Sequence, residues 1–137
     1  MNDFLYLTPN DGGLKLMDEF IKGTYQGTRA FLIGKSIEGR EIKTYTVGEG
    51  AGRVAFFGAH HASEWITCNL LFAFLSRISD RARKGASAEC DILRSFTFFV
   101  TPCVNPDGIS LLTCGPLWHY YCSSLRSHPK YSFQTIV

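Results

Sequence analysis

A chain of 137 residues, 45% of them hydrophobic, has the material for one packed core, which excludes a wholly disordered polypeptide. Fourteen basic residues against twelve acidic ones leave a formal charge of only +2, and no stretch concentrates Lys and Arg densely enough for a nucleic-acid face. No basic-then-apolar leader opens the chain and no apolar run approaches the roughly 18 residues of a bilayer span, so a soluble, cytoplasmic protein with no nucleic-acid or membrane partner is expected.

Asn10 and Asp11 are N-cap candidates for a first helix carrying Leu14, Met17 and Ile21 on one face. Asp11/Lys15 and Asp18/Lys22 are supporting i,i+4 pairs, and Gly23 stops the helix. The short apolar run Ala30-Phe31-Leu32-Ile33 and the alternating run Glu41-Ile42-Lys43-Thr44-Tyr45-Thr46-Val47 flank a turn-rich link. Together they predict an antiparallel pair with one half-solvated member.

Arg53-Val54-Ala55-Phe56-Phe57 is a continuous apolar run, the pattern of a strand buried on both faces. From Trp65, the residues Leu71, Phe74, Leu75 and Ile78 keep helical spacing, and Gly85 falls where a C-cap glycine belongs. Arg77, Arg81, Arg83 and Lys84 read as basic residues at the C-terminal end of that helix. Gly85 to Cys90 predicts a loop, and Ser95 to Thr101 a second buried strand. Strand, long helix, strand in this order implies a parallel crossover, and so an α/β sheet covered by helices. Cys68, Cys90, Cys103, Cys114 and Cys122 are odd in number and lack CxxC spacing, as expected of reduced thiols packed as small hydrophobes.

At the end of the first apolar run stands Gly58-Ala59-His60-His61-Ala62-Ser63-Glu64-Trp65-Ile66-Thr67. A His and a Glu three apart at a helix start project to one side and can reach one metal ion. The spacing alone is equally that of a His and a Glu capping a helix. Asn105-Pro106-Asp107-Gly108, taken alone, is a type I turn with Pro and Gly in favoured places.

Taken together, Gly39-Arg40-Glu41-Ile42 after Ser36-Ile37-Glu38, His61-Ala62-Ser63-Glu64-Trp65-Ile66-Thr67, and Asn105-Pro106-Asp107-Gly108 resemble three motifs of zinc carboxypeptidases of the carboxypeptidase A type. They occur in the family's order, and the resemblance covers residues 28 to 108. It implies an α/β/α sandwich with a mixed sheet, and it assigns His61 and Glu64 as two ligands of a Zn2+ cofactor. His60 stands four residues before Glu64, and the family's spacing prefers His61. Ser63 occupies the position where digestive members carry a substrate-holding arginine. That leaves room for the bacterial branch that cleaves γ-D-glutamyl bonds in cell-wall peptides, or for another peptide-like amide substrate.

In the family a further His completes the zinc site, a separate glutamate is the general base, an arginine stabilises the oxyanion, and an Asn-Arg pair with a tyrosine grips the substrate's carboxylate. These partners lie well beyond the Asn105 to Gly108 motif. After Asp107 this chain has no Asp or Glu, after Asn105 no Asn, and only His119, His128 and Arg126 among the remaining His and Arg residues. The expectation is therefore a truncated family member: a single partial domain over 1–137, with 1–108 the N-terminal half of the catalytic domain and 109–137 a tail of non-native structure. It would bind zinc weakly through His61 and Glu64, contain no complete catalytic set, and self-associate through an exposed core. The alternative is a non-catalytic interaction module that retains the half-fold. Cys114, His119, Cys122 and His128 match no zinc-finger spacing, and Cys103 has no base that would make it a nucleophile.

Overall fold

The structure, a computed structural model, describes residues 11–24 and 28–114. The apolar stripe of the first segment forms helix α1 (Asp11–Thr24), which buries Met17 and Ile21 completely. Asp18 turns inward as well and is 6% exposed. Its carboxylate accepts from the Tyr45 hydroxyl at 2.8 Å and from Lys43 Nζ at 2.9 Å. The side chains of Asp11 and Lys22 lie outside the described residues. The Asp18 bonds tie the helix to the sheet and leave the inward-facing carboxylate paired.

Strands β1 (Arg29–Lys35) and β2 (Glu41–Val47) form the expected antiparallel pair, with Ala30 opposite Tyr45 and a register shift between Leu32 and Gly34. β1 is the solvated member, with Phe31, Leu32 and Ile33 all exposed. The alternation of β2 does not translate into one wet face, because Thr44 to Val47 are all buried. The Thr44 hydroxyl is satisfied inside by the Thr101 hydroxyl at 2.6 Å, so a polar residue on the second face can be covered.

Strand β3 (Gly52–Phe57) and strand β4 (Phe96–Thr101) pair in parallel, with Ala55 opposite Phe99, and β4 also pairs antiparallel with β2. The sheet is therefore mixed, in the order β1-β2-β4-β3. The crossover between the parallel strands contains helix α2 (Trp65–Arg83), and Gly85 follows at φ +77°, a conformation that glycine adopts without a Cβ clash. The expected loop from Gly85 to Cys90 is largely a helix, α3 (Ser87–Ser95). It buries only Leu93, so it left no apolar period to read, and Glu89 joins it to Arg81 by an ion pair.

The expectation for β3 also needs correction. It is not buried on both faces: Phe56 is 38% and Phe57 57% exposed, and β4 is the only strand beside it among the described residues. Phe56 still stacks on Phe98 at 6.2 Å and meets Phe74 edge-on at 5.5 Å. The core lies between β2, β4, α1 and α2, where Val47, Val100, Leu75 and Phe72 join Met17 and Ile21. Cys68 and Cys103 are buried in that same cluster as free thiols.

The Asn105 to Gly108 segment is more than a turn, because it starts helix α4 (Pro106–Cys114). Proline at the first helical position lacks only an N–H that would have had no helical partner. The helix carries regular structure across position 108, where the half-domain was expected to give way to the tail. The remainder of that tail lies outside the described residues. Among the described residues no helix is long and apolar enough to cross a membrane.

Candidate metal-binding site

The site is built where β3 ends beside the end of β4. Backbone bonds continue the pairing past both strands: Gly58 N–H donates to Thr101 O, Val104 N–H to Gly58 O and Asn105 N–H to Ala59 O, each at 3.0 Å. Ala59 then turns the chain at φ +51°, a conformation that a non-glycine residue rarely adopts and that its surroundings must hold. Its N–H donates to Thr67 Oγ1 at 2.7 Å, while the same hydroxyl donates to Glu64 O at 2.7 Å.

The turn delivers His61 in extended geometry to a short 3-10 helix, Ala62–Glu64, that runs into α2. His61 N–H donates to Glu64 Oε2 at 3.2 Å, and His61 Nδ1 lies 2.9 Å from Glu64 Oε1. Both side chains remain about half exposed, at 51% and 45%. The hydrogen bond from the His61 ring, followed by that from its backbone, holds the Glu64 carboxyl below its ordinary value. Glu64 is consequently ionised at neutral pH, with a ring nitrogen beside it. A nitrogen and a carboxylate oxygen turned towards each other at an accessible position form a donor pair that suits zinc.

His60 takes a different direction. Its ring lies beside Phe57, with centroids 6.4 Å apart, and its carbonyl accepts from Asn105 Nδ2 at 3.2 Å. Among the described residues no group of three or more His, Cys, Asp or Glu side chains could hold a metal ion. The side chains of Cys114, His119, Cys122 and His128, together with Arg126, lie outside the described residues.

Asp107 serves as a brace. Its carboxylate accepts from Ser36 Oγ at 2.6 Å, Arg40 NH1 at 2.8 Å and Glu38 N–H at 3.1 Å. The Ser36 bond first, and then the Arg40 guanidinium, keep its carboxyl below the usual value. Two of the three sequence motifs therefore meet at Asp107, while Asn105 connects them to the third at the His60–His61 turn. Gly108 follows for a steric reason: a Cβ there would stand 2.7 Å from Asn105 Nδ2. The sequence held a signal for this brace, one acid at the start of a helix and one Ser-Arg pair in a turn, but no periodicity connects residues so far apart.

A cleft of about 480 Å³ opens elsewhere, lined by Asp18, Lys43, Tyr45, Phe72, Cys103 and Pro106 among others, and it includes neither His61 nor Glu64. Both candidate ligands stand at the strand end, where open α/β sheets place their sites.

Comparison with known proteins bears on the chain's family. Residues 14–121 match the zinc carboxypeptidase family. A metallocarboxypeptidase A-like protein of Trichophyton verrucosum is 35% identical over 105 residues, an alignment covering 73% of this chain and 24% of the relative. The gamma-D-glutamyl-L-diamino acid endopeptidase 1 of Lysinibacillus sphaericus is 28% identical over 88 residues, covering 61% of this chain and 22% of the relative. The fold resembles a metallo-carboxypeptidase from Burkholderia cenocepacia, with TM-score 0.62 and 16% identity, covering 72% of this chain and 27% of the other. It also resembles bovine thrombin-activatable fibrinolysis inhibitor, with TM-score 0.57 and 21% identity, covering 74% and 31%. The chain thus spans 22–24% of the length of the two sequence relatives. On the family match over most of its length, the chain belongs to the zinc carboxypeptidase family.

Proposed function

We propose that this chain carries the first part of a zinc carboxypeptidase-type site, in which His61 and Glu64 hold Zn2+ weakly and the residues needed for turnover are incomplete. The observation that carries the reading is the 2.9 Å approach of His61 Nδ1 to Glu64 Oε1 at the strand end. A cation between these atoms would replace their hydrogen bond and keep both donors. When bound, zinc would supply Lewis-acid polarisation of a scissile carbonyl.

The chain's own residues provide the positioning. Glu64 stays ionised, His61 presents a ring nitrogen, and the strand-end loop keeps both accessible. Two protein ligands make a poor site compared with the usual three, so affinity is weak. No Asp or Glu follows Asp107, and Asp107 is itself engaged with Ser36 and Arg40, so neither supplies a free general base. At family level the substrate is a peptide or γ-glutamyl amide, including bacterial cell-wall peptides. In these 137 residues the reaction is not completed.

The test is an assay of the purified chain with added zinc, scoring release of C-terminal amino acids and cleavage of γ-glutamyl peptides. No hydrolysis above a His61→Ala control is expected. Chelator-sensitive hydrolysis that the His61→Ala variant loses would contradict the incomplete site.

The exposed Phe56 and Phe57 on β3, whose outer edge meets no further strand among the described residues, favour a second reading, a non-catalytic module that associates with copies of itself. Sedimentation across a concentration series tests it, because a strictly monomeric chain at all concentrations contradicts association.

A further inference from the structure

The ligand pair does not hold itself in place. His61 and Glu64 are half exposed, and the loop leading to them passes through the positive φ of Ala59. Two residues outside the pair hold that loop from opposite sides. From α2, the Thr67 hydroxyl accepts from Ala59 N–H and donates to Glu64 O, both at 2.7 Å, so one side chain joins the strained residue to the backbone of the carboxylate ligand. From the start of α4, Asn105 Nδ2 donates to His60 O at 3.2 Å, beside the backbone bond from Asn105 N–H to Ala59 O. Asn105 Oδ1 meanwhile accepts from Gly108 N–H at 2.9 Å and so caps α4. The two peptide carbonyls that flank His60, those of Ala59 and of His60 itself, are therefore both fixed by Asn105, and the amide N–H of Ala59 by Thr67.

The geometry points to Thr67 and Asn105 as positioning residues of the His61/Glu64 pair, a clamp whose two jaws come from the helices after β3 and β4. The inference rests on the metal-site reading above. Neither residue touches the ligand atoms; each acts through the backbone that carries them. Loosening either jaw frees the turn at Ala59, and the two donors then lose their common direction. Partners behind metal ligands have this effect elsewhere, where their loss weakens metal binding about 10–100-fold.

Chemistry separates the clamp from plain stability. Asn105→Asp keeps an acceptor for Gly108 N–H, and with it the α4 cap, but removes the donor to His60 O. Thr67→Val keeps the shape and removes both bonds, whereas Thr67→Ser restores the hydroxyl. The experiment is amide hydrogen exchange on the full chain, followed by a titration with zinc alone. Thr67→Val and Asn105→Asp are expected to speed exchange across residues 58–64 by about tenfold, with β2 and β4 at wild-type rates, because local opening is separable from global unfolding. Both should weaken zinc binding by about tenfold or more, and Thr67→Ser should restore both readouts. Wild-type exchange at 58–64 in both variants overturns the clamp, as does acceleration spread equally over β2 and β4. If the wild type takes up no zinc above His61→Ala, the metal reading fails, while the exchange pattern still decides whether Thr67 and Asn105 hold the turn.

Discussion

β3 and β4 are parallel neighbours made from similar apolar runs, and they have opposite fates. Among the described residues, Phe96–Thr101 lies between two strands and buries four of its six residues, whereas Gly52–Phe57 has one neighbouring strand and buries none. Apolar content states what a strand needs covered; the neighbours decide whether it is. The difference also separates the two loops that follow. The β4 loop leads into a capped and braced helix, while the β3 loop carries the accessible His61/Glu64 pair and depends on contacts from outside itself.

Truncating side chains in the two regions should have very different effects. Leu75→Ala, in the core beneath β2 and β4, should cost about 2–5 kcal/mol, because the residue is fully buried and leaves a cavity. Phe57→Ser should move stability by no more than about 0.5 kcal/mol, since its side chain already meets water. Urea unfolding of both variants checks the pair. Equal losses would mean that β3 is covered in solution.

A smaller effect is expected at the polar link under the core. Tyr45→Phe removes the phenol donor to the buried Asp18 carboxylate and should cost about 1–3 kcal/mol by the same measurement. Lys43 stays in place to limit the loss.

The brace at Asp107 predicts a pH signature. Its carboxyl is held below its ordinary value in the folded chain, through Ser36 first and Arg40 next. The stabilisation is therefore full above the unfolded-state pKa of about 4 and disappears as pH falls through the lower, folded-state value. Melting scans should show Asp107→Asn below the wild type at pH 7 and the two converging in acid. A constant gap down to pH 2 would show that the brace acts by shape alone. The smallest effect on stability belongs to Phe57→Lys, which should instead lower any concentration-dependent association in sedimentation, because charge on an open strand edge opposes pairing.

Much of the fold was legible in local pattern. Met17 and Ile21 marked the buried face of α1, Leu75 and Ile78 that of α2, and the order of strand, helix and strand gave the parallel pair. Patterns failed where structure depends on something other than periodic burial. α3 hides a single leucine, so its sequence looked like a loop. Thr44 and Thr46 alternate with apolar neighbours, yet both are covered on the second face of the sheet. Asn105-Pro106 has the composition of a turn and of a helix start alike, and the structure uses it as a helix start.

In the site, spacing could set His61 beside Glu64 and motif order could name the family. The link from Asp107 to Ser36 and Arg40 was out of reach, because contacts across some seventy positions leave no local trace. Thr67 lies in the His61 to Thr67 motif, and only its two hydrogen bonds in the folded chain show what its hydroxyl does.

His61 and Glu64 are expected to act as a pair towards a cation. Calorimetric titration of zinc into the wild-type chain, His61→Ala and Glu64→Ala tests this directly. Weak single-site binding by the wild type, lost in both variants while their melting temperatures stay near wild type, is the predicted result. Zinc binding that both variants retain, or none in the wild type, would contradict it.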